Sequence, residues 1–204
     1  DDSSQRLILT TVNSNYPSSW KGKYEGQSGT YRLNILFNSQ TDYNNFANSA
    51  EAWNGISNNI SVKAYPPNTT PSSGLNVILA RKKLSSSGIE NASSDTYGIF
   101  IGNASLNSYP KSVYDINYNA TQNLSSGVIF INQDIGSFNS LSSLDQKAVV
   151  MHEVGHALKL CHADEKIGNN DNAFYVMSIM RRKHGDINKT ITLYDKLSLK
   201  KKWG

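Results

Sequence analysis

Cysteine is almost absent from this chain, because Cys161 is the one cysteine among 204 residues. A single cysteine cannot form an internal disulfide, so the sequence is not that of a small disulfide-stapled scaffold. Cys161 could be a redox-sensitive group or an adventitious metal ligand. We interpret it instead as a small buried filler, the commoner role of a free cysteine.

Long hydrophobic runs are also missing. No stretch approaches the ~18 apolar residues needed to cross a bilayer, and no amino-terminal signal pattern is present. We therefore expect no membrane span, and we expect the sequence to be a mature or trimmed form.

Acidic residues are in a minority, which gives a net charge of +4. The excess of basic residues lies late in the chain, in 181–183 and 200–202. Neither run is interleaved with aromatic residues or joined by a nucleic-acid motif, so we predict solvated surfaces and no nucleic-acid partner. A hydrophobic content of 38% over this length suits one domain, residues 1–204, which we expect to be monomeric.

Histidine is scarce too, yet three of the four histidines fall in the stretch HEVGHALKLCH, residues 152–162. On a helix, His152 and His156 are one turn apart and share a face, so two imidazoles can bind one ion. Glu153 is rotated by roughly 100° from His152, so its carboxylate can act as a general base rather than as a ligand. Packed helix-face histidines are the alternative, but the clustering favours a metal site.

A catalytic zinc site needs a third protein ligand and one open position. If the helix ends near Leu158 and the chain turns back, His162 completes a set of three histidines. Asp164 is a second candidate for this ligand, two residues further on.

This stretch resembles the metzincin signature H-E-x-x-H-x-x-G-x-x-H of zinc endopeptidases, most closely the matrixin type. Lys159 stands where that signature has glycine, so we expect a left-handed lysine there and a neutral or stabilising effect of Lys159→Gly. The resemblance also implies a methionine in a turn under the metal. We assign this role to Met180 in Ser178-Ile179-Met180, with Met177 as the alternative. A gluzincin is disfavoured because Glu165 lies too close to the motif to be its distant glutamate.

The periodicity of apolar residues predicts alternating strands and helices. Strands are predicted at 30–37, 60–65, 75–80, 97–101 and 127–132, with a possible short strand at 7–9. Helices are predicted at 42–56, with Asp42 as its cap, at 143–158 and at 194–203. This order matches what the metzincin resemblance implies for an α+β fold: a five-stranded mixed twisted sheet, a covering helix, a zinc-site helix, the methionine turn and a C-terminal helix. The resemblance also implies an upper subdomain, residues 1–160, and a small lower subdomain, residues 161–204.

The resemblance implies an enzyme, a secreted zinc endopeptidase with one catalytic Zn²⁺ and Glu153 as general base. Its protein or peptide substrate would lie extended along an edge strand near Tyr97 to Asn103. Bacterial origin is favoured. Ca²⁺ is possible but has no supporting motif, and His184 alone is too little for a second zinc. Arg182 occupies the position of the tyrosine that some metzincins have after the turn, so no tyrosine role is expected. The alternative function is a catalytically weak binding domain that uses its sheet edge or basic C-terminal region.

Overall fold

The computed structural model describes residues 19–112, 122–163, 178–181 and 189–204. These residues form five strands, three α-helices and three short 3₁₀ helices. The strands are β1 (Tyr31–Phe37), β2 (Ile60–Tyr65), β3 (Leu75–Lys82), β4 (Gly98–Gly102) and β5 (Gly127–Asn132). The α-helices are α1 (Gln40–Ala50), α2 (Ser143–Ala157) and α3 (Leu193–Trp203), and the 3₁₀ helices are Glu51–Trp53, Leu84–Ser86 and Phe138–Ser140.

The five strands make one mixed sheet in the order β2-β1-β3-β5-β4. Four of them run parallel, with Leu33 opposite both Val62 and Leu75. β4 is antiparallel to β5 and lies at one end of the order. The predicted α+β class and five-stranded mixed sheet are confirmed.

Both faces of the sheet are covered around β5, which is why all six of its residues are buried. Ile129 and Ile131 belong to the main core, which α1 and α2 close on one face. Val128 and Phe130 point to a smaller cluster on the other face, because successive strand residues alternate in direction. The main core also includes residues from Trp20 to Trp203, so it draws on both sides of the predicted boundary at residue 160. That division into subdomains stays a prediction.

The first helix begins earlier than the sequence indicates. Asp42 was predicted as its cap, and this is wrong: Ser39 is the cap, and its hydroxyl accepts a bond of 3.2 Å from the Asp42 backbone N–H. Asp42 lies in the first turn, where its carboxylate binds the Arg81 guanidinium at 2.9 Å. A serine in extended backbone can satisfy a free helix N–H, which leaves the aspartate available for this ion pair.

The first helix also ends earlier than predicted, at Ala50 with a 3₁₀ turn to Trp53 instead of at residue 56. The other boundaries shift slightly, and β1 begins one residue later than predicted. β4 begins and ends one residue later than predicted, β3 extends two residues further, and α2 and α3 each differ by one residue at one end. The predicted short strand at 7–9 lies outside the described residues. None of the helices in the described ranges combines the length and apolar character needed to cross a bilayer.

Candidate metal centre

Helix α2 carries the first two histidines of the motif on its buried face. The helix starts at a cap, Ser142, whose hydroxyl accepts from the Asp145 backbone N–H, and it runs inward so that residues 152–157 are all buried. His152 is 3% exposed and His156 is 5% exposed, so neither ring is a solvated surface group.

The chain leaves α2 through a left-handed residue, Lys159, with φ of 67°. The Lys159 N–H donates to the His156 carbonyl at 2.9 Å, and the Leu160 N–H donates to the Gly155 carbonyl at 3.0 Å. This pair of bonds is the Schellman motif, which usually has glycine at the left-handed position. The predicted conformation of Lys159 is confirmed, and the reversal it produces returns His162 to the other two histidines.

The three imidazoles converge through their Nε2 atoms. The Nε2 atom of His156 is 3.1 Å from that of His152 and 3.1 Å from that of His162, and the third separation is 3.2 Å. Tetrahedral zinc with Zn–N bonds of about 2.0–2.1 Å requires ligand nitrogens roughly 3.3 Å apart. The spacing of this set therefore fits one zinc-sized ion.

The far sides of two rings fix their protonation. Nδ1 of His152 is 2.8 Å from the Ile179 carbonyl oxygen, and Nδ1 of His156 is 2.8 Å from the Leu160 carbonyl oxygen. A carbonyl can only accept, so each Nδ1 carries the proton and each neutral ring turns an Nε2 lone pair to the centre. Two facing lone pairs cannot bond each other, whereas a cation between them satisfies both. The donor set thus fits a metal.

Burial keeps His156 in the neutral form that binds metal. Desolvation holds its pKa well below the ordinary value of 6.5, the nearby His162 adds to this effect, and the bond to Leu160 opposes it in part. His162 is more exposed than the other two, so the cluster meets the surface on that side.

Glu153 lies one residue after the first ligand and is 4% exposed. Burial raises the pKa of its carboxyl to about 8, and a backbone hydrogen bond with Phe100 opposes part of the rise. Within the described part of the chain, its Oε2 atom has no hydrogen-bond partner. The group is therefore a buried carboxyl with one oxygen that no described residue occupies, and a buried carboxyl with a perturbed pKa is a candidate functional group.

Strand β4 passes directly beside this carboxyl. A Cβ atom added to Gly98 would lie 3.2 Å from Cγ and 3.3 Å from Oε1 of Glu153. The absence of a side chain at Gly98 is what allows the strand and the helix to approach so closely.

The predicted turn at Ser178-Ile179-Met180 lies against the same helix. Met180 is buried, and its sulfur lies 2.4 Å from the place that a Cβ on Gly155 would take. The Ile179 carbonyl binds His152, and the Met180 carbonyl accepts from the Ala163 N–H at 2.9 Å. The turn therefore contacts both α2 and the chain that follows His162.

Asp195 holds this turn in place, and the sequence interpretation missed it. Its carboxylate accepts from the Ser178 hydroxyl at 2.5 Å and from the Ile179 N–H at 3.0 Å, and it also caps α3 through Thr192. Burial raises the pKa of Asp195, and these bonds counter the rise. The pattern Thr192-x-x-Asp195 signals a capping box, but not the second role of the carboxylate.

Trp20 is the other missed neighbour, since its indole ring stacks on His156. Cys161 is buried in the main core, as its interpretation as a filler requires. Several candidates fall outside the described residues: Asp164, Glu165, Met177, Arg182 and His184.

Comparison of the chain with models of protein families gave no match, and comparison with curated proteins gave none either. The function of the site is therefore argued from its own residues.

Proposed function

We propose that this chain is a zinc-dependent endopeptidase of the metzincin type. The observation that carries the proposal is the convergence of three Nε2 atoms at 3.1–3.2 Å. The residue after the first histidine adds a buried carboxyl whose Oε2 atom has no partner among the described residues. His152, His156 and His162 would hold the ion and leave a fourth position open to substrate.

Zinc in such a set supplies Lewis acidity, which polarises a peptide carbonyl and acidifies water. Glu153 accepts one proton from the water whose oxygen bonds to the scissile carbonyl carbon. As the C–N bond breaks, Glu153 passes that proton to the departing amine nitrogen. Burial raises the pKa of this carboxyl, which makes its carboxylate form a stronger proton acceptor.

β4 supports an extended peptide as the substrate. It ends the sheet order and passes beside Glu153 at Gly98, so a peptide aligned with it would bring its backbone to the base. The secreted location and bacterial origin stay predictions.

The proposal is tested by metal analysis joined to a cleavage assay on a mixed peptide library. The zinc-loaded protein should contain one zinc per chain and cut internal peptide bonds. Glu153→Gln keeps the size of the side chain beside Gly98 and should retain zinc while lowering turnover by at least ~10²-fold, as loss of a general base does.

Three results would contradict the proposal. A protein that takes up no zinc has no metal centre of this kind. A zinc-loaded protein that cuts no peptide is not this enzyme, and that outcome favours the alternative of a binding domain. A Glu153→Gln variant that cuts as fast as the wild type also contradicts the proposal, because the general base would then be another group.

A further inference from the structure

Trp20 lies against one of the three candidate ligands, although 135 residues separate them in the sequence. The centroids of the Trp20 and His156 rings are 4.9 Å apart, and the ring planes are inclined by 12°, so the rings are stacked. Trp20 is 8% exposed. Trp20 is therefore a buried side chain that packs against His156, not a surface group.

Backbone contacts on both sides of the helix exit hold Trp20 there. Its N–H donates to the Lys159 carbonyl at 2.7 Å, and Ser19 forms an antiparallel bridge with Leu160. The Lys202 ammonium donates to the Trp20 carbonyl at 2.7 Å. These contacts place the indole beside the residues that reverse the chain after His156.

A hydrogen bond from the indole does not explain this position. The indole N–H is buried and has no partner in the described residues. Burying an unpaired donor is unfavourable, so the side chain stabilises this arrangement through its ring. The ring offers a flat π face to His156, and the Lys159 ammonium lies 5.7 Å from the centroid of the same ring.

The face of an indole attracts positive charge. An imidazole that binds a dication becomes more positive, so a stacked indole favours the metal-bound state over the free state. The stack also restricts rotation of the ring, whose Nδ1 edge is already fixed by the Leu160 carbonyl. The two constraints together aim Nε2.

We propose that Trp20 is a positioning residue for the metal: it fixes the plane of His156 and raises the affinity of the centre for zinc. This inference rests on the proposed zinc function. It adds a residue outside the motif, Trp20, which lies more than 100 residues before the first histidine and would contribute to metal binding.

The test compares zinc affinity, measured by competition with a chromophoric chelator, in three variants. Trp20→Leu keeps an apolar side chain but removes the π face, and it should weaken zinc binding by about 10-fold, the lower end of the range for groups that support metal ligands. Trp20→Phe keeps a smaller π face and removes the N–H, which has no partner among the described residues, so its affinity should stay within about 3-fold of the wild type.

Tyr31→Leu is the matched control. Tyr31 contacts Tyr24 and Trp203 and packs against the main core that contains Trp20, but neither of these ring contacts is with a candidate ligand. The same aromatic-to-leucine change should leave zinc affinity unchanged there.

A second readout detects the stack itself. In NMR spectra of the zinc-loaded wild type, the ring current of the indole should shift the His156 ring protons upfield of those of His152 and His162. Trp20→Leu should abolish that shift, Trp20→Phe should retain part of it, and Tyr31→Leu should leave it intact. If Trp20→Leu does not fold, the His156 shifts of the wild type and Trp20→Phe still test the stack on which the positioning role depends.

Equal zinc affinity in the wild type and Trp20→Leu, or a His156 spectrum without the upfield shift, would overturn the positioning role and leave the proposed function standing. A wild type that binds no zinc would instead overturn the proposed function, and this inference with it. The two failures are therefore distinguishable.

Discussion

Lys159 combines two properties that usually exclude each other, a left-handed backbone and a buried side chain. Its φ is 67°, and its residue exposure is 0%. The ammonium donates to the Gln122 carbonyl at 2.8 Å, and burial lowers its pKa to about 8. The lysine therefore supplies packing and a link to another loop, which glycine cannot supply.

The expectation that Lys159→Gly is neutral or stabilising must be revised for this reason. Relief of the left-handed backbone gains about 1–2 kcal/mol. Loss of four buried methylenes at ~0.8 kcal/mol each costs about 3 kcal/mol, and the Gln122 carbonyl loses its donor. We expect Lys159→Gly to lower the free energy of unfolding by about 1 kcal/mol or more, measured by urea denaturation.

Asn68 provides the control, since it is also left-handed, with φ of 61°, but is exposed. Asn68→Gly relieves a backbone of the same kind without emptying a buried site, so it should be close to neutral. If Lys159→Gly proves stabilising, the buried stem contributes less than its area suggests.

The sequence predicted the site as far as local spacing reaches. Intervals of four and six residues identify His152, His156 and His162, and the resemblance to a signature with glycine at position 159 predicts the left-handed backbone of Lys159. Trp20 and Asp195 could not be found in this way, because their contacts with the site join residues far apart in the chain. Nothing in the sequence around Trp20 or Asp195 indicates which distant residue its side chain contacts.

Among the elements, α2 and the turn at 178–180 approach each other closely at Gly155. A Cβ on Gly155 would lie 2.4 Å from the Met180 sulfur and 3.0 Å from Cζ2 of Trp53. The helix needs glycine here for space, since its backbone is ordinary α-helix.

Gly155→Ala distinguishes this close contact from ordinary helix propensity. Alanine in a helix interior is normally favoured over glycine by about 1 kcal/mol. Here overpacking against Met180 should reverse the sign and destabilise by about 1–3 kcal/mol. In a Met180→Ala background the penalty should shrink, and a double-mutant cycle by thermal or urea unfolding measures this coupling. Equal effects in both backgrounds would show that the turn gives way.

Asp195 links helix α3 to the turn, and through Ile179 to His152. Asp195→Asn replaces one accepting oxygen by a donor that faces donors, so we expect a loss of about 2–3 kcal/mol, the size of charged hydrogen bonds. Zinc affinity should fall as well. Asp145→Asn, in the cap of α2, is the control: it should cost stability without lowering zinc affinity.

The elements themselves were largely predictable because alternating and helical patterns survive in this sequence. The beginning of α1 was not, since both Ser39 and Asp42 can cap a helix. Ser39 is the cap because the Asp42 carboxylate binds Arg81, a residue of strand β3. Strand ends differ for a similar reason: pairing with a neighbour decides where a strand stops.

For the whole molecule, a metal held by the three histidines would join the end of α2 to the chain that returns after it. An ion that binds the folded protein and not the unfolded chain should, at 1,000 times its dissociation constant, stabilise the protein by about 4 kcal/mol. For a domain of this size that corresponds to roughly 8–16 °C in melting temperature.

Calorimetry with and without a chelator measures this shift. The wild type should lose it on chelation, and His162→Ala should show little shift at any zinc concentration. His184→Ala removes the histidine outside the motif and should keep the full shift. A His162→Ala protein that retains it would remove that residue from the ligand set.

The long-range contacts that hold Trp20 beside the helix exit have a consequence for the time course of folding. The Lys202–Trp20 bond joins residues 182 apart, and the Tyr24 hydroxyl reaches the Ala157 carbonyl across 133 residues. Loops of this length close slowly, and contacts across them form after local helix and turn structure. High-affinity zinc uptake during refolding should therefore lag behind helix formation, so that metal capture marks the completion of the native chain topology rather than its beginning.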